Sequence, residues 1–587
     1  MSAQKGSRTG TTRREFLRDA GLFGAAIAGA TLLPGCGSPE VVQDTPPSTT
    51  PEPSPAPSPG PAATAPDVMT ADLANKKWSF EIPPDPIPDS EIANTVEADV
   101  IVVGAGVAGM VTANAAAEHG AKVVLISASS KPVFRGGSFH APRSRLYEQL
   151  GAEPYDADLF FREQFAHASY NIDQRKWYRF YKHSAEAMNW LMDKMEAAGY
   201  RTVFEATNVN PGDPMHQPLS AHSWVNDQLT TAGMAAEAVV NRLEETGKQA
   251  GVQFIYKTVA KQLVRENNNT GRVTAVIAQG PDGKYTKYVG KRGIVLATGD
   301  FSTDREMMTK YCKWAMPLLD NTGDQGYDNT FKMGGLMPGD GHKMALWVGA
   351  AWQRAPIAPM IGAHWEGANR PYGTHRGLVV NKNGVRFYNE DVNDPFAAVA
   401  LMHQPDMKAY AIWGANYAEA AAPWYPHGSI AGDPPIPPAD VLAGWEALAE
   451  DGGLVKGNTI EEVIEKLGLP PEQTKATVER YNEFCRNGYD EDFLKKKELL
   501  IPVEQAPFFG FVAQPGFLTV LGGLRTNEYM QVCDENDNPI PGLFNVGAMV
   551  GDYYTNTYTF LVAGSNLGSN CLTFGYLTGK ALAEGTI

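Results

Sequence analysis

Three glycines at a fixed spacing are the residues of this 587-residue chain best suited to hold a phosphate. Gly104, Gly106 and Gly109 close the run Asp99-Val100-Ile101-Val102-Val103-Gly104-Ala105-Gly106-Val107-Ala108-Gly109. At this spacing the first glycine permits a tight turn and the second lets backbone approach a pyrophosphate. The third lets a helix pack closely on its strand. Ala105, Val107 and Ala108 fill the turn, and the free N–H groups of the helix start face the anion. A second set, Tyr553, Tyr554, Tyr558 and Phe560, is an aromatic cluster whose tyrosines carry hydroxyls suited to proton chemistry. A tyrosine hydroxyl with a reference pKa of about 10 stays protonated at neutral pH. It can donate a hydrogen bond to a carbonyl oxygen or a proton to carbon. Plain packing is the competing role for Tyr553 and Tyr554.

These residues need elements to position them. The β-branched run before Gly104 reads as a buried strand, Met110 to Glu118 as a helix and Ala121 to Ile126 as the next strand. Arg135-Gly136-Gly137-Ser138 is a further glycine turn. Val252 to Ile255 and Thr258 to Val264 read as strands; Val273 to Gln279 and Tyr285 to Val289 form a hairpin around Pro281-Asp282-Gly283. A strand from Gly293 to Leu296 runs into Ala297-Thr298-Gly299-Asp300. The fold class is α/β.

The ends of the chain carry other information. Thr12-Arg13-Arg14-Glu15-Phe16-Leu17 and the apolar stretch Ala20 to Leu33 resemble a twin-arginine export signal. That stretch is shorter than the about 20 apolar residues of a membrane span. Leu33-Pro34-Gly35-Cys36 resembles a lipoprotein box, with Cys36 as the acylated residue and a lipid anchor as its consequence; ordinary cleavage nearby is the alternative. Residues 1–36 are thus expected to be a signal and 37–75 a Pro/Ser/Thr-rich stalk. The expected location is the outer face of the cytoplasmic membrane, the periplasm or the cell surface. A net charge of −16 argues against nucleic acid and anionic membrane as direct partners. Cys312, Cys485, Cys533 and Cys571 lie too far apart in sequence for a C-x-x-C pair, so no iron–sulfur, zinc or c-type haem site is expected. A disulfide between two of them stays open.

Further motifs follow in order: Gly339-Asp340-Gly341-His342-Lys343-Met344-Ala345, Ile540 to Ala548 (I-P-G-L-F-N-V-G-A) and Thr573 to Gly579 (T-F-G-Y-L-T-G). With Ala297-Thr298-Gly299 they resemble the flavoproteins of the fumarate reductase and succinate dehydrogenase superfamily, which includes urocanate reductases and 3-ketosteroid dehydrogenases. The resemblance runs from about Ala98 to the C-terminus. It implies a Rossmann-like FAD-binding domain in two parts, 96–350 and 504–587, with an inserted α+β cap at 351–503. The active site is then expected between them. FAD contacts are implied for Gly104, Ala105, Gly106, Val107, Ala108, Gly109, Ser127, Arg135, Gly136, Gly137, Ser138, Val259, Ala260, Thr298, Gly299, Asp340, Gly547, Ser565, Asn566 and Leu567. Two positions depart from the family: Ser127 replaces an acidic ribose-binding residue, and Ala548 stands where Glu is common. The covalent-flavin histidine of succinate dehydrogenases would fall near Ser130, which implies non-covalent FAD.

The active-site positions depart further. Asn381-Lys382-Asn383-Gly384-Val385-Arg386-Phe387-Tyr388-Asn389-Glu390 resembles a family signature. The proton-donating arginine of fumarate reductases follows that signature, whereas here Asp391-Val392-Asn393-Asp394-Pro395 does. Leu518-Thr519-Val520-Leu521 lacks the histidine expected before Gly522-Gly523, and the second carboxylate-binding arginine is absent near Val562. These losses argue against fumarate or succinate. Tyr558 is the nearest counterpart of a ketosteroid dehydrogenase tyrosine that polarises the substrate carbonyl. Arg376, His364 and Tyr554 complete the candidate catalytic set, and His140 is a further candidate near the flavin. The resulting expectation is an exported FAD oxidoreductase that reduces an activated C=C bond of a bulky enone or enoate, steroid-like or aryl. A separate electron donor is required. A dehydrogenase running the reverse reaction and a non-catalytic electron relay are the alternatives.

Overall fold

The computed structural model describes residues 76–206, 218–321, 337–363, 377–392, 394–424 and 429–587. The expected signal and stalk, along with His364 and Arg376, lie outside the described residues. The organising strand is Ile92–Val103. It lies parallel between Val123–Ile126 and Tyr285–Leu296, and its inner residues are buried because both faces of the sheet are covered. Pro539–Asn545 and Gln253–Ile255 extend the parallel sheet on either side. Gln531–Cys533, Val259–Arg265 and Val273–Gln279 bring it to eight strands.

The expected short strands at Tyr285 and Gly293 are one continuous strand, since Tyr285–Leu296 pairs with Ile92–Val103 along its length. A bulge between Ala98 and Val100 absorbs the irregularity at Gly290. The helix expected from Met110 starts earlier, at Val107. It covers the sheet with residues buried from Val107 to Ala117, which is why small Ala side chains fill it.

A second sheet forms the cap: Leu378–Val380, Ala409–Gly414, Phe508–Ala513 and Val455–Gly457, all antiparallel. Phe508–Ala513 lies beyond the expected boundary at residue 503, and its six pairings with Ala409–Gly414 keep it in the cap. Ala358–Gly362 and Gly516–Leu521, the two passages between the domains, lie side by side as an antiparallel ribbon. A small sheet of Phe139–His140, Ala221–Val225 and Arg201–Phe204 flanks the cofactor side.

The cap is pinned by buried charge. Arg386 binds Glu390 at 2.7 Å and Asp490 at 2.8 Å, with both carboxylates fully buried. Lys495, buried beside them, lies 3.6 Å from Glu390. Among the described residues no helix is long and apolar enough to cross a membrane, and no group of three or more His, Cys, Asp or Glu is placed to hold a metal. The four described cysteines are free thiols. Removing one partner of a buried pair leaves an uncompensated charge, at a cost of about 3–5 kcal/mol. Arg386→Met is therefore expected to lower the unfolding free energy obtained from denaturant titration by that amount, and an unchanged free energy would discount the cluster.

Candidate active site

The chain turns at Gly104 because nothing else fits there. Its φ is +115°, and a Cβ would lie 2.2 Å from the Ala297 carbonyl oxygen. The Gly104 N–H donates to Ile126 O at 2.8 Å, which ties the turn to the neighbouring strand. Gly106 then caps the helix, and a Cβ on it would meet nothing within 4 Å. Ala105, Val107 and Ala108 are buried beneath this opening, while Gly104, Gly106, Thr298, Gly299 and Gly136 are partly exposed along it. A Cβ on Gly109 would lie 2.0 Å from Gly104 O, so helix and turn are in close contact. The result is a backbone-lined trough over a helix N-terminus, which fits the pyrophosphate of FAD. Gly547 lies against Ala108, and Gly341, one residue after Asp340, lies against Thr298.

At one end of the trough Ser127 is buried, its Oγ 2.7 Å from Ser129 Oγ. Its carbonyl accepts from the Thr258 N–H at 2.8 Å, which brings the strand start at Val259 and Ala260 beside it. At the other end, a Cβ on Gly564 would lie 2.1 Å from Ser138 O, and one on Gly136 would lie 3.0 Å from Leu567 Cδ1. Two segments more than 400 residues apart in sequence thereby meet: Arg135–Ser138 and Gly564–Leu567. The helix that follows opens with π geometry at Leu567–Thr573, a form frequent at functional sites.

Tyr558 sits beside this junction. It is 1% exposed, and its hydroxyl accepts from the Asn566 N–H at 3.3 Å. Its own N–H donates to Pro359 O at 3.1 Å, which anchors it to the interdomain ribbon. Burial pushes its phenol well above the usual range, so it stays a proton-bearing group. Tyr554 is buried with its hydroxyl 3.0 Å from Ser565 Oγ. Tyr553 stacks flat on Trp177, with ring centroids 4.3 Å apart, and so does packing work. Asp552, Asn556 and Phe560 all adopt left-handed backbone in this short segment, a concentration of strain typical of sites held by their surroundings.

An ion pair engages Leu518 and Thr519 of the ribbon. Arg135 Nη1 donates to Leu518 O at 2.9 Å and lies 3.4 Å from Asp300. Asp300 in turn accepts from the Thr519 hydroxyl and, at 2.7 Å, from Ser302. The Arg135 guanidinium is thus engaged by protein, and its turn contributes backbone to the trough. His140 is buried, 2.8 Å from the Tyr155 hydroxyl, and its backbone N–H donates to Gly564 O at 3.1 Å. Burial and the neighbouring His222 push its pKa down to about 3, so it is neutral.

Sequence reasoning missed the support behind these groups. Lys176 Nζ, fully buried, donates to Gly551 O at 2.7 Å, and Trp177 Nε1 donates to Tyr553 O at 2.9 Å. Both lie in the first turn of the helix Gln174–Glu196, whose amphipathic pattern gives no sign of what it would hold.

The match to known proteins follows the same segments. Residues 99–559 match the model of a FAD-binding domain family. The chain belongs to that family. It is an FAD-dependent oxidoreductase with the flavoprotein fold of that superfamily. It is 26% identical to the vinyl phenol reductase of Lactiplantibacillus plantarum over 82% of this chain and 94% of that protein. It is 26% identical to the urocanate reductase of Eggerthella lenta over 79% and 72%, respectively. In fold it is similar to a 3-ketosteroid-Δ4-(5α)-dehydrogenase from Rhodococcus jostii RHA1, with a TM-score of 0.62, 22% identity and coverage of 85% and 99%. Gly564→Ala, which forces a Cβ into Ser138 O, is expected to yield folded protein with most of its flavin absorbance lost. Full FAD content in that variant would remove the junction from the cofactor site.

Proposed function

We propose that this flavoprotein reduces the activated C=C bond of a bulky, mostly apolar enone or enoate, steroid-like or aryl-substituted. The observation that carries this reading is the pairing of a buried, protonated tyrosine with the loss of the carboxylate clamp. Tyr558 stands at the junction of the two cofactor segments, and the nearby ribbon carries Thr519 bound to Asp300 rather than a histidine. The Tyr558 hydroxyl oxygen accepts the Asn566 N–H and lies beside Ser565, so in this reading its proton is held at the junction of the two segments. The aromatic neighbours Tyr554 and Phe560, at 5.1 and 4.5 Å, suit a flat apolar substrate better than a dicarboxylate. The names of the relatives, a vinyl phenol reductase and a urocanate reductase, support alkene reduction.

When bound, FAD supplies the hydride. The chain's part is to orient the alkene, exclude water and deliver the matching proton from Tyr558. FAD is held non-covalently in this reading, and its electrons come from a separate donor protein. Residues 1–36 direct export, with Cys36 as the lipid anchor on the outer face of the membrane.

Reduced protein mixed anaerobically with vinyl arenes, cinnamates, steroid enones and fumarate tests the substrate class. Rapid flavin reoxidation by an aryl alkene or enone but not by fumarate is expected; reoxidation by none of them, or by fumarate alone, overturns it. Tyr558→Phe is expected to lower turnover by about 100-fold or more with FAD content unchanged. Full turnover would remove Tyr558 from the chemistry. Cys36→Ser is expected to move the exported protein from the membrane fraction to the soluble one, and retention in the membrane would argue against the anchor.

A further inference from the structure

The Arg135–Ser138 turn has an acidic partner that no motif marks. Ser138 Oγ donates to the carboxyl group of Glu205, which directly follows the strand Arg201–Phe204. The other carboxyl oxygen faces Gly233, where a Cβ would lie 3.0 Å away. Gly233 is pressed against Gly137, since a Cβ on Gly137 would lie 1.5 Å from Gly233 O. Glu205 is therefore wedged behind the cofactor turn itself. The cap closes over it from the other side. Glu205 bridges Ile430, the Ala206 N–H donates to Ser429 O at 2.9 Å, and the Ala431 N–H donates to Phe204 O at 2.9 Å.

We propose that Glu205 is a positioning residue that couples proton uptake to the arrival of negative charge in the FAD trough, acting through Ser138. The proposal rests on reading Gly136–Ser138 as part of the FAD site. Burial favours the neutral acid and pushes the Glu205 pKa up, with the Ser138 hydrogen bond opposing it in part. Among the described residues, the titratable groups on the elements packed around it do not supply a countercharge. His140 and His222 are buried and neutral, with pKa values pushed down to about 3 and about 4. Arg135 is paired with Asp300, and Asp433 on the cap accepts from the Ile430 N–H at 3.1 Å.

An ionised carboxylate behind the turn opposes reduction of the cofactor, whereas the neutral acid does not. By linkage, electrons entering the trough raise the proton affinity of Glu205, and the proton comes from solvent. Charge near the flavin is one of the means by which a protein tunes it.

The test is the midpoint potential of the FAD-loaded protein across pH, with dithionite as reductant and no alkene present. Glu205→Gln fixes the side chain neutral. Its potential is expected to match wild type at low pH, where Glu205 is protonated in both redox states. It is expected to rise above wild type as pH increases. Ser138→Ala keeps the acid but removes the bridge, and its profile is expected to move towards that of Glu205→Gln. Parallel profiles for wild type and Glu205→Gln overturn the proposal. A Ser138→Ala profile identical to wild type does the same, and remains decisive if Glu205→Gln fails to load FAD. Since no substrate enters the measurement, failure of the alkene-reductase reading leaves this outcome untouched.

Discussion

Backbone meets backbone at Gly104, where a Cβ would lie 2.2 Å from the Ala297 carbonyl oxygen, and the cofactor trough is arranged around that contact. The turn after one strand and the turn after its neighbour approach too closely for side chains, so both leave peptide groups facing the same space. The same economy recurs where Gly109 meets Gly104 and Gly564 meets Ser138. A pyrophosphate and a flavin need fixed hydrogen-bonding groups at short range, and side chains at these positions would both block the approach and loosen it.

Charge is distributed unevenly around that trough. The cap holds Arg386, Glu390, Asp490 and Lys495 in a buried cluster that fixes the segment after Gly377. Close to the trough, His140 and His342 are buried and neutral, and Arg135 is matched by Asp300. Among the described residues beside it, Tyr554 and Tyr558 contribute buried hydroxyls and rings. The helix Gln174–Glu196 maintains the arrangement from behind, with Lys176 and Trp177 holding the carbonyls of Gly551 and Tyr553.

Much of this was legible in local pattern. The strand, turn and helix at Gly104 follow from β-branched residues, glycine spacing and an alanine-rich helix, and the order of later glycine motifs placed FAD. Boundaries were less legible. Tyr285 to Leu296 reads as two strands because Gly290 interrupts it, yet a long neighbour lets one strand run through. Phe508–Ala513 reads as part of the returning cofactor domain, but its pairing partner lies a hundred residues earlier in the cap.

By itself the sequence determined the dinucleotide turn and the fold class, since each depends on residue type at short spacing, and the resemblance carried by the later motifs implied FAD. The tertiary structure alone decided which side chains support them. Glu205 reaches Ser138, Arg135 reaches Asp300 and Leu518, and the Tyr558 N–H meets Pro359 O only because distant segments converge. A lone glutamate after a strand carries no local signal of that convergence. Its meaning comes from burial and from the turn it faces, and both are set by the packing of the whole chain.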